Sequence, residues 1–103
     1  MKKYSIRISE LAFKDIENLQ FAIKLIFKSP LTAHKYTQGI LAQIRLLSHS
    51  AESFRISTTT SVLKYGYNAR CIYYKKMTII YTVHGSVVLV QRVLPGANIH
   101  EEL

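Results

Sequence analysis

The chain has 103 residues, a formal net charge of +8 and one cysteine. That length supports a single hydrophobic core, so residues 1–103 are expected to form one domain. One cysteine excludes an internal disulfide framework, and no apolar run approaches the roughly 20 residues of a membrane-spanning helix. The start, MKKYSIRISE, turns polar too early for a secretory signal, so a soluble cytoplasmic protein is expected. The charge is unevenly spread. Between Glu52 and Glu101 there is no carboxylate, while Arg55, Lys64, Arg70, Lys75, Lys76 and Arg92 all fall there. A half carrying only positive charge, interleaved with tyrosines, suits nucleic acid, the ribosome or an acidic protein. It also bars an Asp or Glu of that half from acting as a general base or a ligand for a hard metal.

Tyr4, Ile6 and Ile8 alternate with Ser5, Arg7 and Ser9, the pattern of a short half-buried strand. Ser9 sits at the N-cap position of a helix whose apolar stripe is Ala12, Ile16, Leu19, Ile23 and Ile26. Phe13, Phe21 and Phe27 either widen that stripe or mark a second contact. Ser29-Pro30 stops this helix and starts another, with Pro30 suited to its first position. Ala33, Tyr36, Ile40, Ile44 and Leu47 form the second stripe, and Gly39 either weakens the helix locally or lets a neighbour approach. The two helices form an antiparallel hairpin. The Ser/Thr-rich stretch from Ser48 to Ser61 is a connection in which Phe54 and Ile56 could begin a strand. Strands follow at Val62–Tyr67, Arg70–Lys75, Thr78–Val83 and Val87–Val93, with a tight turn at His84-Gly85-Ser86 and a stop at Pro95-Gly96. The expected architecture is α+β, in the order β-α-α-β-β-β with room for one further strand. In it the helical hairpin packs on one face of an antiparallel sheet, leaving the other face or the rim for function.

Alternation sets Arg70, Ile72 and Tyr74 on one face of their strand, and Cys71, Tyr73 and Lys75 on the other. The set containing Ile79, Tyr81 and Val83 faces the helices, which makes Tyr81 a core residue. Arg92 shares a face with Val88 and Val90, where it either covers apolar surface or emerges to act. Lys64, Arg70, Lys75, Lys76 and Arg92 are candidates for contact with a phosphodiester backbone, and Tyr73 and Tyr74 for stacking on bases. His34, His49, His84 and His100 are scattered without metal-ligand spacing, and no metal or other cofactor is expected. His100 follows the last strand and could serve in proton transfer.

Four pieces in order, YSIRISELAFKDIENL, SPLTAHKYTQGILAQIRLL, ARCIYYKKMTIIYTVHG and VVLVQRVLPG, make the chain resemble the RelE/ParE superfamily of toxins from type II toxin–antitoxin (plasmid stabilisation) modules. The resemblance implies a helical hairpin on an antiparallel sheet and a cognate antitoxin, acidic where it covers the basic surface. It implies one of two targets. ParE-like members poison DNA gyrase; RelE-like members cut mRNA on the ribosome without a metal, using Lys and Arg on the phosphate and Arg, His or Tyr in proton transfer. On that pattern Arg70, Arg92 and His100 are the catalytic candidates. The chain departs from the nuclease pattern at Thr78, where a basic residue is usual, and at Pro95, Ala97 and Asn98, where VLPGAN replaces a His- and Arg-containing end. The expectation is therefore a toxin acting on gyrase or another non-nucleolytic target, ahead of a metal-independent endoribonuclease. A degenerate protein- or RNA-binding module is the remaining alternative.

Overall fold

The computed structural model describes residues 3–96. Strand β1 (Ser5–Ile8) leads into helix α1 (Glu10–Phe27) and helix α2 (Pro30–Ser50), and a short helix α3 (Thr60–Leu63) precedes β2 (Arg70–Tyr74), β3 (Met77–His84) and β4 (Val87–Pro95). The helix boundaries follow their local chemistry. The Ser9 hydroxyl accepts the Ala12 amide at 3.0 Å, and Ser29 accepts that of Thr32 at 3.2 Å one residue before Pro30. Lys28, at φ +50°, ends α1 in the left-handed region.

The sheet order is β1-β4-β3-β2. Both β2–β3 and β3–β4 are antiparallel hairpins, whereas β1 joins β4 in parallel, so the sheet is mixed. One face carries the helical hairpin. Ala12, Ile16, Ile40, Ile44 and Leu47 pack there against Ile72, Met77, Ile79, Tyr81, Val88, Val90 and Val93. Each fully buried Ile or Leu in that layer contributes about 1.5–3 kcal/mol.

Four expectations need correction. The apolar run at Val62–Tyr67 is the helix α3 and a following turn, and it accounts for the further strand. Val62, with Ala69 and Ile80, makes a second cluster on the opposite sheet face. Short apolar runs satisfy either period, and here the amides of Val62 and Leu63 both close on the Thr59 carbonyl. As a result, the far face of the sheet is partly covered rather than left open. Secondly, Phe54 and Ile56 start no strand; both are exposed in the connection after α2. Thirdly, Ile26 is 71% exposed because α1 ends in a hairpin tip where Phe21, Leu25, Phe27 and Leu31 are exposed as well. Lastly, Arg92 does not share a face with Val88 and Val90. A bulge sets Ile80 opposite Arg92 and Tyr81 opposite Val90, so Gln91 is the extra residue and Val93 joins the core instead.

Candidate partner and nucleic-acid interface

The candidate side chains among the described residues fall into separate groups. Arg92 is committed to α1. Its Nε and Nη2 donate to the Asp15 carboxylate at 2.7 and 2.9 Å, and the Val93 amide adds a third bond at 3.0 Å. Asp15 raises the guanidinium's already high pKa further. The Arg92 side chain retains 25% of its exposure against 10% for Asp15, so this bidentate pair is partly desolvated and rivets α1 to the bulged strand. Replacing Arg92 by alanine leaves the Asp15 carboxylate with one amide partner. The expected loss is about 2 kcal/mol in a urea titration, below the range for a fully buried pair because Arg92 keeps some solvent contact.

Lys64 meets Arg92 only through Tyr65. Its Nζ lies 5.2 Å from that ring's centre, and the Arg92 guanidinium 5.8 Å from it. Tyr65 was not singled out in the sequence, since the surrounding residues read as a strand.

Arg70 turns towards the connection after α2 and donates from Nη1 to the Phe54 carbonyl at 2.7 Å. Its Nε is buried and meets no acceptor among the described residues. Tyr81 donates to the Ala51 carbonyl at 2.6 Å, and Tyr4 donates to Glu52. These three side chains fasten residues 51–54 to the sheet, which makes Arg70 an anchor of that segment. Burial pushes the Tyr81 phenol up to about 12, with the Arg70 charge opposing the shift only in part.

At the opposite end of β2, Tyr74 and Tyr36 meet edge to face at a centroid distance of 5.3 Å. Lys75, held at φ +53° in the turn, places Nζ 5.3 Å over Tyr36 and 5.6 Å over Tyr74. Gly39 makes this possible. A Cβ there would lie 2.1 Å from the Tyr74 hydroxyl, so the glycine on α2 admits a side chain from β2 rather than a neighbouring helix. Lys76 is exposed beside Lys75, and its carbonyl accepts the Gly96 amide at 2.7 Å. Tyr73 is 65% exposed and, with Phe54 and Cys71, lines a cavity of about 400 Å³ that also takes in Arg55, Ser57, Thr58 and Thr59. Burial raises the Cys71 thiol pKa, which keeps it protonated.

The structure therefore brings Tyr73, Lys75 and Lys76 to one exposed end of the β2–β3 hairpin, joined by Tyr36 and Tyr74. It does not bring Lys64, Arg70 or Arg92 to that end, and His100 lies outside the described residues. Tyr36 gave a sequence signal only as one of the apolar residues of α2. Among the described residues, no three His, Cys, Asp or Glu side chains come together as a metal site would need. No described helix is long and apolar enough to cross a membrane.

No protein-family model and no curated protein matches the sequence. Among solved structures, the fold matches a chain of "Chromosomal ParDE TA system from P. aeruginosa" with a TM-score of 0.74. The match covers 90% of this chain and 96% of that one, at 18% sequence identity. The α+β architecture of a helical hairpin on a four-stranded sheet is thus the fold that this match and the sequence resemblance share, with the difference that β1 joins β4 in parallel rather than antiparallel.

Proposed function

We propose that this chain is the toxin of a type II toxin–antitoxin module, neutralised by a cognate acidic antitoxin. The observation that carries the reading is a fold match, over nearly the full length of both chains, to a chain of a solved toxin–antitoxin system. The surface is consistent with it. The only Asp or Glu residues before Glu101 are Glu10, Asp15, Glu17 and Glu52, and the tip of the helical hairpin pairs exposed Phe21, Leu25, Ile26, Phe27 and Leu31 with Lys24 and Lys28. An exposed apolar tip flanked by Lys24 and Lys28, with Glu17 one turn before Phe21 as the nearest carboxylate of α1, suits a partner that offers both apolar and acidic side chains.

Action on gyrase or another non-nucleolytic target is favoured over cleavage of mRNA. Arg70 and Arg92 are engaged in holding the fold, and Thr78, which stands where a nuclease of this kind has a basic residue, is 2% exposed. Ribosome-dependent cleavage keeps one supporting observation: the Tyr73, Lys75 and Lys76 end of the hairpin is exposed, basic and aromatic, as RNA contacts require.

Induced expression without the neighbouring gene, following growth and mRNA ends together, tests the reading. Growth arrest without new cleavage sites is the expected result. Arrest with cuts in translated codons would move the target to the ribosome, with Lys76→Ala then abolishing the cuts. Normal growth would leave a binding module only.

A further inference from the structure

Strand β1 is an edge of the sheet, and the direction of its backbone groups follows from three bonds. The Ser5 amide donates to Ser86 at 2.8 Å and the Ser9 amide to Val90 at 3.0 Å, so the odd-numbered residues turn towards β4. Tyr4 turns the other way, its amide donating to Ser48 of α2 at 2.9 Å. In a parallel ladder the amide and carbonyl of one residue point to the same side and alternate along the chain. Ile6 and Ile8 therefore aim both groups away from β4, and among the described residues no backbone group meets them there. Beside this edge lies a cavity of about 270 Å³ lined by Ile6, Ile8, Leu41, Ile44 and Arg45. Its floor is apolar. Arg45 stands at its rim, and Arg7 projects exposed on the other side of the strand. Neither arginine meets a carboxylate among the described residues, and α2 contains none of its own.

We infer that the open edge of β1 accepts an extended segment of the acidic antitoxin as a fifth strand, an inference that rests on the toxin–antitoxin reading for its partner. A peptide strand supplies donors and acceptors alternately, as the amides and carbonyls of Ile6 and Ile8 require. Alternate side chains of the segment enter the groove over Ile6, Ile8, Leu41 and Ile44 and are apolar. Its acidic residues meet Arg7 and Arg45. A nucleic-acid backbone satisfies the two amides but sets phosphate against the two carbonyls and buries none of the apolar floor. A second copy of this chain brings Arg7 towards Arg7 and one +8 molecule against another, which opposes self-pairing.

The test is amide hydrogen exchange, read by NMR, on the complex with the acidic protein that the toxin–antitoxin reading expects a neighbouring gene to encode. The Ile6 and Ile8 amides should slow by about tenfold or more on binding, while those of Ser5 and Ser9, already bonded to β4, change little. Arg45→Glu, on an exposed side chain, should weaken the complex about tenfold without lowering the melting temperature. A complex that leaves Ile6 and Ile8 exchanging as before overturns this inference and spares the toxin–antitoxin reading. If no complex forms with that protein, the reading falls and takes the inference with it. Slowing in the isolated chain at high concentration, with the mass of a dimer, overturns it in favour of a second copy. Slowing produced only by a single-stranded oligouridylate of about ten nucleotides overturns it in favour of RNA.

Discussion

Replacing Gly39 by alanine destabilises the protein, although alanine is the better helix former. On an unhindered helix the change gains about 1 kcal/mol. Here the new Cβ would lie 2.1 Å from the hydroxyl oxygen and 2.2 Å from the ring carbon of Tyr74, distances no packed pair sustains. The ring must leave. With it go the edge-to-face contact with Tyr36 and one of the two rings beneath Lys75. The expected net loss is about 1–3 kcal/mol, read as a lowered midpoint in urea at unchanged slope. The decisive comparison repeats the change in a Tyr74→Ala background. With the ring absent, helix propensity is left to act alone and Gly39→Ala should become stabilising by about 0.5–1 kcal/mol. The same sign in both backgrounds would mean that Gly39 is not shaped around Tyr74. The two variants also separate fold from function. Gly39→Ala disturbs the aromatic seat of Lys75 while leaving the lysine in place, so a change in toxicity without loss of folded protein would tie that seat to the target.

The features legible in the sequence were those that local chemistry determines. Ser9 and Ser29-Pro30 fix the helix starts through side-chain oxygens that reach only three residues along the chain. The alternation of Ile79 and Tyr81 against Ile80 fixes which face of β3 meets the helices, and the structure agrees at each of them. Gly85, at φ +62°, closes the β3–β4 hairpin where the sequence places a turn. What could not be read depends on partners distant in sequence. The bulge at Gln91 is one case. The Ser9 hydroxyl donates to the Gln91 carbonyl at 2.8 Å, and Asp15 receives both Arg92 and the Val93 amide, so residues from the start of the chain accompany a change of parity in its last strand. Alternation alone assigned Arg92 to the wrong face for that reason. The same holds for α3, whose Val62 is needed over Ile80 on the far face, and for Gly39, whose purpose appears only when Tyr74 arrives from β2. The candidate site divided along the same line. Lys75 and Lys76, set by a local turn, remain exposed, whereas Arg70 and Arg92 were drawn into distant contacts.

Tyr81 should make stability depend on pH in the alkaline range, and the sign is fixed by the direction of its shift. The folded-state pKa is raised to about 12 from an ordinary value of about 10, so the fold favours the protonated phenol. Its contribution is fully present below about pH 10 and is lost as the pH climbs through about 12, because the unfolded chain ionises first. The linkage amounts to about 1.4 kcal/mol lost by pH 11 and roughly 2.7 kcal/mol in the limit. The quantity to follow is the difference between the protein and its Tyr81→Phe variant, which isolates this one phenol. At neutral pH that variant should be less stable by about 1–2 kcal/mol, since the Ala51 carbonyl loses the donor now 2.6 Å away. As the pH rises the native protein alone must keep the phenol from ionising, and the two stability curves should cross near pH 11. Parallel curves would show that water reaches the hydroxyl, which a side chain with 0% exposure does not permit. The crossing also reports on the rest of the anchor. Tyr81 holds Ala51, Arg70 holds Phe54 and Tyr4 holds Glu52, so ionising the phenol sets a negative charge against the carbonyl that marks the end of α2. The connection leading to α3 should loosen at that pH, visible as faster exchange of the Ser57 amide, which is bonded to Ala69 in the folded chain.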